Sequence, residues 1–201
     1  MPDWDQNSPE LRKNLQAVLR SIRDAAQERE PISLKTIRDW HRDTMKGLTV
    51  PNPAFVGEFR GQPGLEAIVV KIGNHSGTAP EKVEEETNKF ILRLLPIIAR
   101  LDKSITPDAD LTADQLEAVL EVIAWAHSEW VRIHPFANGN GRTARLLANA
   151  IALRYGLPPF IRLRPRPNHG YNQAADASMR GDHRPLVSAF RHMLNDVLSG
   201  N

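Results

Sequence analysis

Residues 112–154 read TADQLEAVLEVIAWAHSEWVRIHPFANGNGRTARLLANAIALR, and this stretch predicts two helices joined by a short glycine-containing loop. Thr112 followed by Gln115 three residues later is typical of a capping box at the start of a helix. Apolar residues then recur at steps of three and four as far as His134, which is the period of one helix face. A second apolar helix follows the loop and is expected to end near Gly156.

The loop reads His134-Pro135-Phe136-Ala137-Asn138-Gly139-Asn140-Gly141-Arg142-Thr143-Ala144-Arg145. Because a residue before proline avoids helical backbone, the first helix should end at about His134, with the imidazole at its terminus. Gly139 and Gly141 allow close backbone approach, and the N–H groups that open the next helix attract anions. Arg142 and Arg145 share a face of its first turn and can hold phosphate oxygens. The loop therefore predicts a polyphosphate site beside a general base.

Other motif-based interpretations of this loop are less consistent with the sequence. Gly139-x-Gly141-x-x-Ala144 has the form of a dinucleotide fingerprint, but a helix precedes it and residues 161–167 hold no ribose-binding acid. Neither a Gly-x4-Gly-Lys-Ser/Thr phosphate loop nor a His-Glu-x-x-His zinc motif occurs. His127 lies on the apolar stripe of its helix, which favours a buried core histidine over a ligand.

Composition sets further bounds. The 201 residues, 41% hydrophobic and 25% charged, suit one compact globular domain. Cysteine is absent, and no apolar run approaches the roughly 18 residues that a membrane span needs. The first eight residues lack a signal pattern, so we expect a cytoplasmic protein. The net charge of +2 and the prolines among Arg162, Arg164 and Arg166 favour a solvated connector over a nucleic-acid site.

The remaining sequence predicts more helices around one β insertion. Helices should begin at Ser8 and Ser33, and another should run from Val83 until Pro96 kinks or ends it. Residues 47–80 are rich in glycine and proline, with a short strand or hairpin expected within 65–72. Residues 171–199 predict one or two helices with a break at 181–182. We therefore expect an N-terminal helical segment, 1–30, and one compact, mainly α unit, 31–199.

Residues 134–145 resemble the signature of the Fic family, His-Pro-Phe-x-(Asp/Asn)-Gly-Asn-Gly-Arg-x-x-Arg, with every fixed position filled. A looser resemblance extends over about residues 30–195. Gly57-Glu58-Phe59-Arg60 followed by Val69 to Gly73 is similar to the β-hairpin flap of the family. Residues 124–127 are similar to the helix that leads into its motif. Residues 171–174 and 181–182 are similar to the segments that border its adenine.

The resemblance implies a Fic-type helical bundle with a short β-hairpin flap, and transfer of AMP from ATP to a Ser, Thr or Tyr hydroxyl of a target protein. His134 would be the catalytic base and pyrophosphate the leaving group. The implied ATP-binding residues are Asn138, Gly139, Asn140, Gly141, Arg142, Arg145 and Tyr171. Mg²⁺ would bridge the phosphates with help from Asn138. The implied target-docking flap consists of Val70, Lys71, Ile72 and Gly73.

The sequence departs from the family pattern in three places. Asn138 stands where many members carry Asp, and Met179 where relatives often have Asn. The family's inhibitory pattern, Ser/Thr-x-x-x-Glu followed by Gly or Asn, does not occur in this sequence. Either an antitoxin-like partner supplies the inhibitory helix in trans or the enzyme is unrestrained.

Alternative functions stay open on the sequence. Some relatives transfer phosphocholine, UMP or phosphate, but Gly139 and Gly141 are both present, which favours AMP. A non-catalytic helical interaction module would be expected to lose His134 or an arginine of the motif, and neither is lost.

Overall fold

The computed structural model describes residues 8–73, 75–167 and 170–200, and within them the fold is mainly α, as predicted. The helices are α1 (Pro9–Gln27), α2 (Leu34–Thr44), α3 (Val83–Ser104), α4 (Ala113–Ile133), α5 (Asn140–Arg154), α6 (Tyr171–Met179) and α7 (Arg184–Leu198). Strands β1 (Lys71–Ile72) and β2 (His75–Ser76) form an antiparallel hairpin, with Lys71 opposite Ser76. The first seven residues of the predicted segment 1–30 lie outside the described residues.

Helix α4 is the centre of the bundle, in contact with α3, α5, α6 and α7. Helix α5 is buried around most of its surface, because α1 and α2 cover the side that α4 leaves free. Helix α1 buries Leu11, Leu15, Val18 and Ile22 in the same hydrophobic cluster as α4 and α5. The N-terminal helix and the rest of the chain therefore share one core.

Side-chain caps define the helix starts that the sequence predicted. The Ser8 hydroxyl accepts the N–H of Leu11 at 3.1 Å, and Ser33 caps α2 in the same way. Thr112 and Gln115 make both hydrogen bonds of the capping box at α4. These local hydrogen bonds explain why the starts could be predicted from neighbouring residues alone.

Of the two predicted effects of Pro96, an end of the helix is excluded, because α3 continues through it for another eight residues to Ser104. Proline removes one N–H from the helix and leaves the carbonyl of Leu92 without its partner. Leu92 is 70% exposed and Pro96 is also exposed, so water can reach that carbonyl. Ile98 and Leu101 are buried beyond the proline and stabilise the last turns.

The β hairpin is shorter and later than predicted. Leu65, the first residue of the predicted strand, is buried in a turn, where its N–H donates to Gln62 and its carbonyl accepts from Gly61. These turn hydrogen bonds use the groups that a strand would need, and pairing begins only at Lys71. In the tail, the predicted break separates α6 from α7. Every helix in the described part of the chain is too short or too polar to cross a membrane.

Candidate nucleotide site

His134 ends α4 in left-handed backbone, with φ 53° and ψ 57°, which confirms the predicted helix end. Its Nδ1 lies 2.9 Å from the carbonyl oxygen of Val131. A carbonyl only accepts, so Nδ1 carries the proton and Nε2 keeps its lone pair. Burial lowers the pKa of His134 to about 4, and the nearby Arg60 charge acts in the same direction. The imidazole is therefore neutral at physiological pH and can accept a proton at Nε2.

Arg60 connects His134 to the segments on both sides of the hairpin through hydrogen bonds. Its guanidinium, 1% exposed, donates to four carbonyl oxygens. These belong to His134 at 2.8 Å, Ile68 at 3.0 Å, Thr78 at 2.8 Å and Ile133 at 3.2 Å. The backbone N–H of Arg60 also donates to Pro135 at 2.7 Å. A cation at the carboxyl end of α4 also interacts favourably with the helix dipole, although burial lowers the Arg60 pKa to about 10.

The motif loop is closed by Asn140, whose side chain is 1% exposed. Its Oδ1 accepts the N–H of Phe136 at 2.8 Å, and its Nδ2 donates to the Phe136 carbonyl at 2.8 Å. Phe136 is fully buried and fastens the loop to the core. The side chain of Asn140 therefore holds the loop, and the phosphate contact implied for this residue stays a prediction. Its backbone N–H, at the start of α5, is the group that can still meet a phosphate.

His41 of α2 supports the same loop from the other side. Its ring stacks on Phe136, with the ring centroids 3.9 Å apart and the planes 13° apart. Nε2 donates to the Asn138 carbonyl at 3.0 Å, and Nδ1 accepts the Gly57 N–H at 2.9 Å. Burial lowers the His41 pKa to about 4, so both contacts are those of a neutral ring. At Gly139, with φ 81°, a Cβ would lie 3.0 Å from His41 Nε2.

The start of α5 lies where the sequence predicts an anion cradle. Its N-cap is Gly139, and no side chain of the described residues caps the first turn. Arg145 Nη1 lies beside Gly141, where an added Cβ would be 3.3 Å away. Its Nη2 donates to the Leu163 carbonyl at 3.1 Å. Arg142 and Arg145 are each only 3% exposed, so two cations are buried at the amino end of this helix.

Tyr171 is hydrogen-bonded to both Arg145 and His127. The Tyr171 hydroxyl lies 2.6 Å from His127 Nε2 and is also hydrogen-bonded to Arg145. His127 is 1% exposed, which confirms the predicted buried core histidine, and burial lowers its pKa to about 3. Tyr171 is itself buried, so it positions the arginine from within the core.

The hairpin lies against the catalytic histidine candidate. The Gly77 N–H donates to the Val70 carbonyl at 3.1 Å, and a Cβ on Gly77 would lie 3.0 Å from His134 Cβ. At its other strand, His75 Nε2 is 2.7 Å from a carboxylate oxygen of Asp176 on α6. The structure therefore brings Val70 beside His134 and connects the hairpin to the helix that Tyr171 begins.

A protein-held Mg²⁺ site is not formed by the described residues. They contain no group of three or more His, Asp or Glu side chains that could hold a metal. Asn138 offers one neutral amide oxygen, which accepts the Gly139 N–H at 2.5 Å. Mg²⁺ prefers carboxylates and phosphate oxygens. The residues present therefore do not fit a metal held by the protein alone.

Comparison with known families agrees with this geometry. The family model described as the Fic/DOC family matches residues 31–152, which include α2, the hairpin, the motif loop and most of α5. The chain belongs to the Fic/DOC family. The match ends before α6, so Tyr171 is placed by the structure and not by the family model.

Similar proteins carry consistent names. A protein adenylyltransferase Fic of Nematostella vectensis is 32% identical over 161 residues, or 80% of this Fic chain and 32% of that protein. The Aedes aegypti protein of the same name is 45% identical over 158 residues, or 78% of this chain and 26% of that protein. The chain thus spans about a quarter to a third of these curated relatives.

Solved structures share the fold. A Fic domain-containing signaling protein from Bacteroides thetaiotaomicron has a TM-score of 0.63 at 25% identity, covering 92% of this chain and 70% of that one. Fic-1 of C. elegans, residues 134–508 with E274G, has a TM-score of 0.62 at 27% identity, covering 97% and 52%. The Fic-type bundle predicted from the motif is therefore confirmed.

Two supporting residues were missed in the sequence. His41 lies 97 positions before Asn138, and no local pattern connects them. Arg60 belongs to the segment Gly57 to Arg60, whose resemblance to the flap region is the available signal in the sequence. An arginine beside a glycine-rich, proline-rich segment is ordinarily a surface residue, so its burial could not be read from spacing.

Proposed function

We propose that this chain is a protein adenylyltransferase, which transfers AMP from ATP to a Ser, Thr or Tyr hydroxyl of a target protein. The single observation that best supports the proposal is that His134 is neutral and has a free Nε2. It belongs to the same loop as the candidate anion cradle, where two arginines are buried. A base beside a polyphosphate site is what nucleotidyl transfer requires. The names of the relatives support the same activity.

Each step can be assigned to a group of the chain. The target hydroxyl would give its proton to His134 Nε2 while its oxygen attacks the α-phosphorus. The bond from that phosphorus to the oxygen bridging to the β-phosphate would break, and pyrophosphate would leave. Backbone N–H groups of Gly139, Asn140 and Gly141, together with Arg142 and Arg145, would hold the phosphates and balance the developing charge.

Mg²⁺ would enter with the nucleotide, because ATP phosphates supply the anionic oxygens that the protein does not. Asn138 could add one neutral oxygen by releasing the Gly139 N–H. The metal would neutralise phosphate charge, and the positioning of the nucleotide would rest on the backbone cradle and the arginines.

The hairpin segment Val70 to Gly73 would dock the target as an added strand. Its two-residue strands leave an open edge, and Val69 beside them is 71% exposed. A strand edge binds extended peptides through main-chain hydrogen bonds with little demand on their sequence. The hairpin packs against His134, so a docked hydroxyl would be presented near Nε2.

The regulation and location of the protein are further proposals. An antitoxin-like partner that inserts an anionic side chain beside Arg145 would compete with the terminal phosphate of ATP. The cytoplasmic location expected from the sequence stays a prediction, as does the absence of nucleic-acid binding.

The function is tested by incubating the purified protein with ATP and Mg²⁺, alone and with a cell lysate, followed by mass spectrometry. We expect an adenylyl group on a hydroxyl side chain of the protein itself or of a lysate protein. His134→Ala should abolish it, whereas the exposed His192→Ala should leave it unchanged. ATP binding without any transfer would instead favour a non-catalytic nucleotide-binding module.

A further inference from the structure

The connector that follows α5 contacts the Arg145 guanidinium through Leu163. At one point the Leu163 carbonyl accepts from Arg145 Nη2 at 3.1 Å, and beyond the connector the Tyr171 hydroxyl bonds to the same group. The other nitrogen, Nη1, lies beside Gly141 in the anion cradle. Leu163 and Tyr171 are therefore both held close to the arginine at the phosphate end of the site.

Arg166 lies three residues after Leu163 and is exposed. It interacts electrostatically with both Arg145 and Tyr171, and its charge adds to the burial that lowers the Arg145 pKa. Among the described residues, no carboxylate forms an ion pair with Arg145 or Arg166. Like charges held together in this way are unfavourable until an anion joins them.

We propose that Arg166 is an additional ligand of the terminal phosphates of the nucleotide, and so of the departing pyrophosphate, acting together with Arg145. The inference rests on the proposed function, because it assumes that the cradle receives a nucleoside triphosphate. Arginine forms paired, charge-assisted hydrogen bonds with phosphate, and an exposed side chain on a connector can reach a bound anion without disturbing the core. AMP lacks the phosphates that Arg166 would contact.

The same connector offers a matched control. Arg162 is also exposed, but it lines a groove of about 1430 Å³ between the connector, α6 and α7. It is not among the charges that act on Arg145. Replacing either arginine by glutamine removes one positive charge from the same connector, so any difference between the two variants reports position and not net charge.

The test is isothermal titration of the wild type, Arg166→Gln and Arg162→Gln with sodium pyrophosphate and, separately, with AMP at one ionic strength. We expect Arg166→Gln to weaken pyrophosphate binding about tenfold, the effect of losing a charge-assisted contact, and to change AMP binding less than about twofold. Arg162→Gln should bind both as the wild type does. Arg166→Lys keeps the positive charge but lacks the planar guanidinium, so its affinity for pyrophosphate should lie between those of the wild type and Arg166→Gln.

Two outcomes would overturn the inference. Arg166→Gln and Arg162→Gln could bind pyrophosphate equally well, or Arg166→Gln could weaken AMP and pyrophosphate to the same extent. Either result, with a wild type that binds both ligands, would leave the proposed function standing. A wild type that binds neither pyrophosphate, AMP nor ATP would overturn the proposed function and this inference together.

Discussion

His41 Nε2 donates to the carbonyl oxygen of Asn138 across 3.0 Å, while Nδ1 of the same ring accepts the N–H of Gly57. One neutral imidazole on α2 thus joins the motif loop to the segment that leads into the hairpin. Its ring also stacks on Phe136, whose backbone is held by Asn140. The shape of the anion cradle therefore depends on a residue that lies far outside the motif.

Replacing His41 with Phe tests this dependence, because phenylalanine keeps the stacked ring and removes both hydrogen bonds. The partly buried Asn138 carbonyl and the buried Gly57 N–H would lose these partners. We expect the free energy of unfolding, measured by urea denaturation, to fall by about 2 to 4 kcal/mol. ATP binding should weaken as well. The exposed His192→Phe is the control, and equal stability of the two variants would show that the contacts are dispensable.

The low pKa of His134 predicts an unusual pH dependence. Because the pKa of His134 is lowered from 6.5 to about 4, its imidazole stays uncharged at pH values well below 7. It is protonated, and can no longer act as a base, only as the pH falls through 4. A histidine of ordinary pKa would be about tenfold depleted in its neutral form at pH 5.5. We expect the imidazole NMR signals of His134, assigned by their loss in His134→Ala, to stay unchanged between pH 7.5 and 5.5. A titration centred near pH 6.5 would contradict the burial argument.

Arg60→Lys should destabilise the protein more than its conservative character suggests. Lysine has three donors on one nitrogen and cannot reproduce four hydrogen bonds to carbonyls of Ile68, Thr78, Ile133 and His134. We expect the free energy of unfolding to fall by about 2 kcal/mol or more. The matched change Arg100→Lys, at an exposed position of α3, should have little effect. Similar stability of both variants would mean that the buried guanidinium is not needed.

The two glycines of the motif should respond differently to alanine. Gly139 has φ 81°, and a Cβ there would lie 2.8 Å from Met45 Cε, so Gly139→Ala should cost about 1 to 3 kcal/mol of stability. Gly141 lies within α5, and its added Cβ would meet only Arg145 Nη1 at 3.3 Å.

Gly141→Ala should therefore keep or raise the melting temperature, since alanine favours a helix, while weakening ATP binding through the displaced Arg145. Thermal unfolding of both variants tests the predicted stabilities, and ATP titration tests the predicted loss of affinity. Equal loss of stability in the two would contradict the distinct roles.

Much of the fold could be predicted because its signals are local. Ser8, Ser33 and the Thr112–Gln115 box begin helices through hydrogen bonds within one turn, and the motif loop sets where α4 ends and α5 begins. The continuation of α3 beyond Pro96 could not be predicted, because it depends on burial of Ile98 and Leu101, which is a property of the packed bundle.

The site was predictable only in part, because some of its residues come together only when the bundle packs. His134 and the glycine–arginine loop follow one another in sequence, so their chemistry could be read together. His41, Arg60 and Leu163 reach the site through long-range contacts, and no local residue spacing relates them to it. The side chain of Asn140 has the residue type that suits phosphate, but its geometry commits it to Phe136.

The central claim, transfer of AMP with release of pyrophosphate, is tested most directly by supplying ATP labelled at either the α- or the γ-phosphate. We expect label from α-labelled ATP to enter protein and to resist denaturing electrophoresis, label from γ-labelled ATP not to enter, and His134→Ala to incorporate neither. Incorporation from γ-labelled but not α-labelled ATP would contradict it and show phosphate transfer instead.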